Sequence, residues 1–176
     1  CTLHTFIFSI YKLLLYKYSG QKDFVIGIPV AGRRHPDLLM MQGMFVNNLC
    51  IRNEINPEKS FLKYLDEEKH NLAIALDRQD YPFEQLLSEL SPVRDASRNP
   101  LFDTMFVYQN MSFFSDSESK LKPSNYFIDP KISKFDLSLE VIENEASLSY
   151  MFEYATALFK RNTIERFAEH FQNLLI

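Results

Sequence analysis

The residue types best suited to chemistry are few and scattered in this chain. Its four histidines, His4, His35, His70 and His170, never fall at metal-ligand spacing to one another or to a cysteine. Glycine occurs only at positions 20, 27, 32 and 43, so no loop can cradle a phosphate through successive backbone amides. No serine sits in a nucleophile-elbow context. Cys50 lies within an apolar run, where a thiol packs as a small hydrophobe rather than ionising to a nucleophile. His35 has the chemistry of a base, but beside Arg33 and Arg34 it reads as a solvated loop histidine.

Three stretches concentrate polar groups in unexpected places. Asn47 and Asn48 interrupt an apolar strand pattern, and a buried carboxamide needs hydrogen-bond partners. A strand end or sheet edge would satisfy them without any function. Arg78-Gln79-Asp80-Tyr81-Pro82-Phe83-Glu84 packs polar and aromatic groups into one helix start, which a capped N-terminus accounts for. Arg94-Asp95-Ala96-Ser97-Arg98-Asn99-Pro100-Leu101 is a charged, turn-rich approach to a strand. It reads as a loop pinned by Asp95 ion pairs and Asn99 backbone bonds.

Hydrophobic periodicity predicts the elements that position these stretches. Leu3, Phe6, Ile7, Ile10, Leu14 and Tyr18 recur at helical spacing, with Gly20 as the stop and no N-terminal lead, so the helix is expected to continue an upstream element. Strands are predicted over 24–30, 45–52, 101–109, 135–142 and 148–154, the last two as a hairpin across residues 143–146. A long helix is predicted over 60–78 with Phe61, Leu65, Leu72 and Leu76 inward. A short one follows, with Asp80 as N-cap, Pro82 in its first turn, and Phe83, Leu86, Leu87 and Leu90 as its stripe. The final helix is expected to open at Asn162 with Glu165 as capping-box partner, its inner face formed by Ile164, Phe167, Ala168, Phe171 and Leu174. Residues 111–125 read as a long polar loop. This order of elements indicates a layered α/β sandwich, a mixed sheet with helices over one face.

Composition excludes several classes of function. At 176 residues, 46% apolar and 24% charged, with sixteen Phe and nine Tyr, the chain has the makings of one well-filled globular unit. Nineteen basic against twenty-three acidic side chains give a net charge of −4 and no basic stripe for nucleic acid. No apolar run approaches the roughly 18 residues that span a bilayer. Two cysteines, Cys1 and Cys50, point to a reducing compartment, and hence to the cytoplasm. A start at Cys1, almost directly in a helix, suggests a piece of something longer.

Taken in order, the three stretches resemble successive signatures of the condensation domain of nonribosomal peptide synthetases. They are Gln42-Gly43-Met44-Phe45-Val46-Asn47-Asn48-Leu49-Cys50-Ile51-Arg52, Gln79-Asp80-Tyr81-Pro82-Phe83-Glu84, and the segment from Arg94 to Leu101. The run from Gly20 to Arg33 ahead and Lys134-Phe135-Asp136-Leu137 behind agree with it, as does the ending from Tyr154 to Arg166. The resemblance implies a chloramphenicol-acetyltransferase-like subdomain, and a parent domain that forms amide bonds between carrier-bound thioesters. The family's His-His-x-x-x-Asp-Gly motif does not occur in these residues, so the resemblance is to the C-terminal half, over 1–176, and implies no complete catalytic set.

In the family, Arg33 would pair with the Asp of the absent motif, a grip suited to its planar fork, and Arg34 is the less favoured candidate. Lacking that Asp, Arg33 is expected at the surface, unpaired or held by water or a local carboxylate. Asn47 would project toward the substrate tunnel and help position the reacting groups. Other implied partners are the N-terminal half, peptidyl carrier domains with their 4′-phosphopantetheine arms, and an adjacent adenylation domain. No cofactor is expected to bind directly. The alternative reading is a degenerate condensation-like module that recruits carrier proteins or tailoring enzymes; an epimerisation domain shares the fold.

Overall fold

A computed structural model describes residues 1–93, 95, 97–110, 131–144 and 147–176. The elements, in chain order, are α1 (Leu3–Ser19), β1 (Asp23–Val30), a 3-10 turn at Pro36–Leu38, β2 (Asn47–Glu54), α2 (Phe61–Asp77) and α3 (Phe83–Leu90), then β3 (Thr104–Gln109), β4 (Leu137–Glu143), β5 (Leu148–Tyr154) and α4 (Arg161–Leu175). The sheet has the order β2-β1-β3-β4-β5. Its two central pairings, β1 with β3 and β3 with β4, are parallel, and the outer two are antiparallel. It is the mixed sheet the alternation predicted. Among the described residues no helix is long and apolar enough to cross a membrane.

Strand periodicity sends alternate side chains to the two faces. Ile26, Ile28, Leu49, Ile51, Phe106, Leu139 and Val141 meet Ile7, Phe8, Tyr11 and Leu14 of α1, Leu72 of α2, and Ile164, Phe167 and Phe171 of α4. Three helices therefore cover one face. Toward the opposite face, Gly27 packs so closely on the Phe102 ring that any Cβ there would collide with it. Phe102 in turn stacks on Phe135 and meets Phe83 of α3 edge-on.

Several local expectations are corrected. α1 opens at Leu3 with a cap of its own: Thr2 is extended and its Oγ1 accepts the Thr5 amide at 3.2 Å. β2 starts at Asn47 rather than Phe45, whose ring is drawn under Arg33 instead. The buried positions of α2 are Tyr64, Glu68 and Leu72, whereas Phe61 and Leu76 are partly exposed. Glu68 can sit inside only because Lys12 of α1 meets it in a buried ion pair, which no one-dimensional pattern reveals. α3 begins one residue after Pro82, with Asp80 outside the cap. In α4 the N-cap is Lys160, and the Glu165 carboxylate takes Arg161 Nε at 2.8 Å instead of reaching back to a cap amide; Leu174 is exposed. The polar loop over 111–125, with Arg94, Ala96 and two residues of the hairpin turn, Glu145 and Ala146, lies outside the described residues.

Candidate functional site

Residues of the first two motif stretches converge where the β1–β2 and α2–α3 connections meet. Gly32 leaves β1 with φ 65°, a left-handed conformation that favours glycine, and a Cβ there would strike the Phe45 carbonyl. Arg33 follows, half-buried. Its Nη1 donates to the carbonyls of Leu38 and Met41, the latter at 2.8 Å, and its Nη2 donates to Gly43 O at 3.3 Å. The guanidinium carbon lies 4.4 Å from the centre of the Phe45 ring. So Arg33 is neither unpaired nor held by a carboxylate. Leu38 O also takes the Met41 amide at 3.3 Å, whereas the carbonyls of Met41 and Gly43 have no amide partner among the described residues, and a planar cation with several donors fills that need. Segment 38–45 is thus wrapped round one side chain, with Met40 and Met44 at its outside, 92% and 86% exposed.

Asn47 occupies the first position of β2, opposite Val30. Its Nδ2 donates to the Gln79 and Tyr81 carbonyls, both at 2.8 Å, and its Oδ1 accepts the Phe83 amide at 3.2 Å. Asn47 therefore caps α3 from another element, which explains why that helix has no side-chain cap of its own. Arg34, the less favoured arginine, reinforces the same connection: its Nη1 donates to Asp77 O at 3.1 Å and to Asp80 Oδ2 at 3.0 Å. Sequence reading missed these two clasps because their partners are more than 30 residues apart.

The third stretch is also tied down by its side chains. Asp95 Oδ1 accepts from the Ser97 amide and hydroxyl, an Asx turn rather than an ion pair, and these bonds hold its carboxyl below the usual range. Arg98 reaches Asp103 at 2.8 Å, and Asn99 Nδ2 donates to Lys134 O at 3.1 Å, the backbone bond expected of it. Burial, with Asp103 nearby, raises the Asp136 carboxyl. These contacts hold the loop against the start of β4.

The histidines do not assemble. His4 stands edge-on to Phe106 and Tyr108, and burial lowers its pKa, so it is neutral at pH 7. The ring nitrogen Nδ1 of His35 accepts the Asp37 amide at 3.3 Å, and His170 Nδ1 lies 2.9 Å from the Tyr18 hydroxyl. Burial pushes the Cys50 thiol up to about 11, which makes it inert near neutrality. No group of three potential metal ligands occurs among the described residues. The geometry can orient and clamp.

Similarity to known proteins agrees with this picture. A family profile described as Condensation domain matches residues 1–176. The chain is 45% identical over 174 residues to tyrocidine synthase 3 of Brevibacillus parabrevis, covering 99% of the chain and 3% of that relative. To tyrocidine synthase 2 of the same organism it is 47% identical over 174 residues, 99% of the chain and 5% of the relative. It thus spans only a small part of the curated relatives it matches. The fold superposes with TM-score 0.86 on the condensation domain from monacolin K polyketide synthase MokA, at 23% identity, over 97% of this chain and 40% of that one. With the profile matched from end to end, this chain belongs to the condensation-domain family.

Proposed function

We propose that this chain is the C-terminal half of a nonribosomal peptide synthetase condensation domain, and that the whole domain joins two carrier-bound substrates by an amide bond. One observation carries the reading: the family match spans all of residues 1–176, yet those residues lack the His-His-x-x-x-Asp-Gly motif. The substrates are thioesters on the phosphopantetheine arms of two carrier domains. The acceptor's amine attacks the donor's thioester carbonyl, a C–N bond forms, the C–S bond breaks, and the amine's proton leaves as the donor arm's free thiol forms. This half supplies one wall of the tunnel. Arg33 organises the segment that faces the N-terminal half and offers its guanidinium to that half's motif Asp. Asn47 sets the entry of β2 against α3. An adenylation domain follows in the same cytoplasmic assembly.

Holding amine and thioester in near-attack geometry is worth on the order of 7–11 kcal/mol, and one wall alone cannot provide it. Donor- and acceptor-loaded carrier proteins, incubated with the full-length protein and followed by intact mass, should yield dipeptidyl carrier. Residues 1–176 alone should yield none above the no-enzyme rate. Turnover by the 176 residues alone would overturn the reading, with His35 the first group to test. A full-length protein without the His-His-x-x-x-Asp-Gly motif would replace it with the recruiting module.

A further inference from the structure

β2 is an edge strand, and a groove of about 950 Å³ runs along its open side. The groove is lined by the five consecutive residues from Asn48 to Arg52, with Ile74 of α2 on one flank and Phe83 and Leu86 of α3 on the other. Which backbone groups face it follows from the phase of the ladder. The Ile55 amide donates to Lys22 O at 2.8 Å, so the pairs Phe24–Asn53, Ile26–Ile51 and Ile28–Leu49, in step with it at two-residue intervals, are the hydrogen-bonded ones. Pro29, which has no N–H to offer, stands opposite Asn48 in the alternate set, as this phase requires. The N–H and C=O groups of Asn48, Cys50 and Arg52 therefore point away from β1 to the open edge, and among the described residues no strand pairs with them.

We propose that this groove receives an extended peptide segment of about five residues as a sixth strand, antiparallel or parallel to β2. Five residues extend roughly 16 Å at about 3.3 Å each, and main-chain pairing to an exposed sheet edge is a general mode of peptide recognition. The lining also dictates the peptide's chemistry. Phe83 and Leu86 are half-buried and line the groove, so their remaining exposed surface faces apolar side chains at alternate positions. Arg78 lines the groove without an ion pair among the described residues, while Asp80, the acid among the lining residues, is held by Arg34. Arg52 stands at the edge itself, bonded to Asp23 and Glu54. The occupant is therefore an apolar segment that carries a carboxylate. A second β2 edge would instead bring another Arg78 into the same slot, which like charge opposes.

The test uses the full-length protein and a fluorescein-labelled Val-Glu-Val-Glu-Val peptide. Anisotropy should show saturable binding, and hydrogen exchange of residues 47–54 should slow at least tenfold when the peptide is present. N-methylation at one alternate set of peptide amides should weaken binding about tenfold or more, while the other set is tolerated. Arg78→Glu should reverse the preference toward Val-Lys-Val-Lys-Val, and Arg78→Gln should abolish it. Lack of saturation at millimolar peptide would overturn the proposal. So would equal effects of both N-methylated sets, or protection of 47–54 that grows with protein concentration without peptide, the signature of a second copy.

Discussion

Replacing Lys12 by Met tests how α1 and α2 are held together. Lys12 Nζ contacts Glu68 Oε2 deep between the helices, with the two side chains 1% and 6% exposed. The ammonium also lies 4.6 Å from the centre of the Phe8 ring. Lys12→Met keeps most of the stem's volume but strands the Glu68 carboxylate in an apolar site, beside a Tyr64 hydroxyl that has no partner among the described residues. Stranding one member of a buried pair costs about 3–5 kcal/mol. At about 2–4 °C per kcal/mol for a chain of this size, the melting temperature should fall by roughly 6–20 °C. Glu68→Leu alone should cost a similar amount, because it leaves the ammonium unpaired. Lys12→Met combined with Glu68→Leu removes both charges, and that variant should lie within about 1 kcal/mol of the parent or above it, since packed apolar replacements of buried pairs are often neutral or stabilising. Urea unfolding followed by far-UV circular dichroism and tyrosine fluorescence gives all four corners of the cycle; the chain has no Trp. Two single variants that each cost under about 1 kcal/mol, and simply add in the double, would refute the reasoning. The pair would then be hydrated like a surface ion pair.

Other predictions concern single groups. Asn47→Asp keeps the shape but turns a carboxylate toward the carbonyls of Gln79 and Tyr81, so it should destabilise by about 1–3 kcal/mol at neutral pH, less in acid, with faster hydrogen exchange over residues 79–86. His4 is half-buried and neutral, with its pKa lowered by burial from the usual value near 6.5; the unfolded chain therefore binds more protons as pH falls below about 6.5, and stability drops there. A His4→Phe variant should lose that part of the slope in a series of melts, and an unchanged slope would count against the burial argument. Cys50, pushed up to about 11, should resist iodoacetamide at pH 7.5 and become reactive only as the pH approaches that value, whereas the exposed Cys1 reacts first; peptide mapping separates the two.

The sequence by itself determined the order of elements. Period-2 runs locate the strands and period-3.6 runs the helices because each element buries one face, and a single face is enough to write the pattern. The three motif stretches likewise identified the family, since short ordered runs are legible in one dimension. Only the tertiary structure decided who holds whom. The inner face of α2 was misread because Glu68 looks like a surface residue until Lys12 arrives from 56 positions away. Asp80 looked like a helix cap, yet the carboxamide that caps α3 belongs to Asn47 on β2, and Asp80 is free to take Arg34. The phase of the open edge at β2 likewise depends on which residues stand opposite Lys22 and Pro29. Burial of an apolar stripe is a property of one element and is written locally. Satisfaction of a buried polar group needs a partner, and the fold chooses that partner from anywhere in the chain.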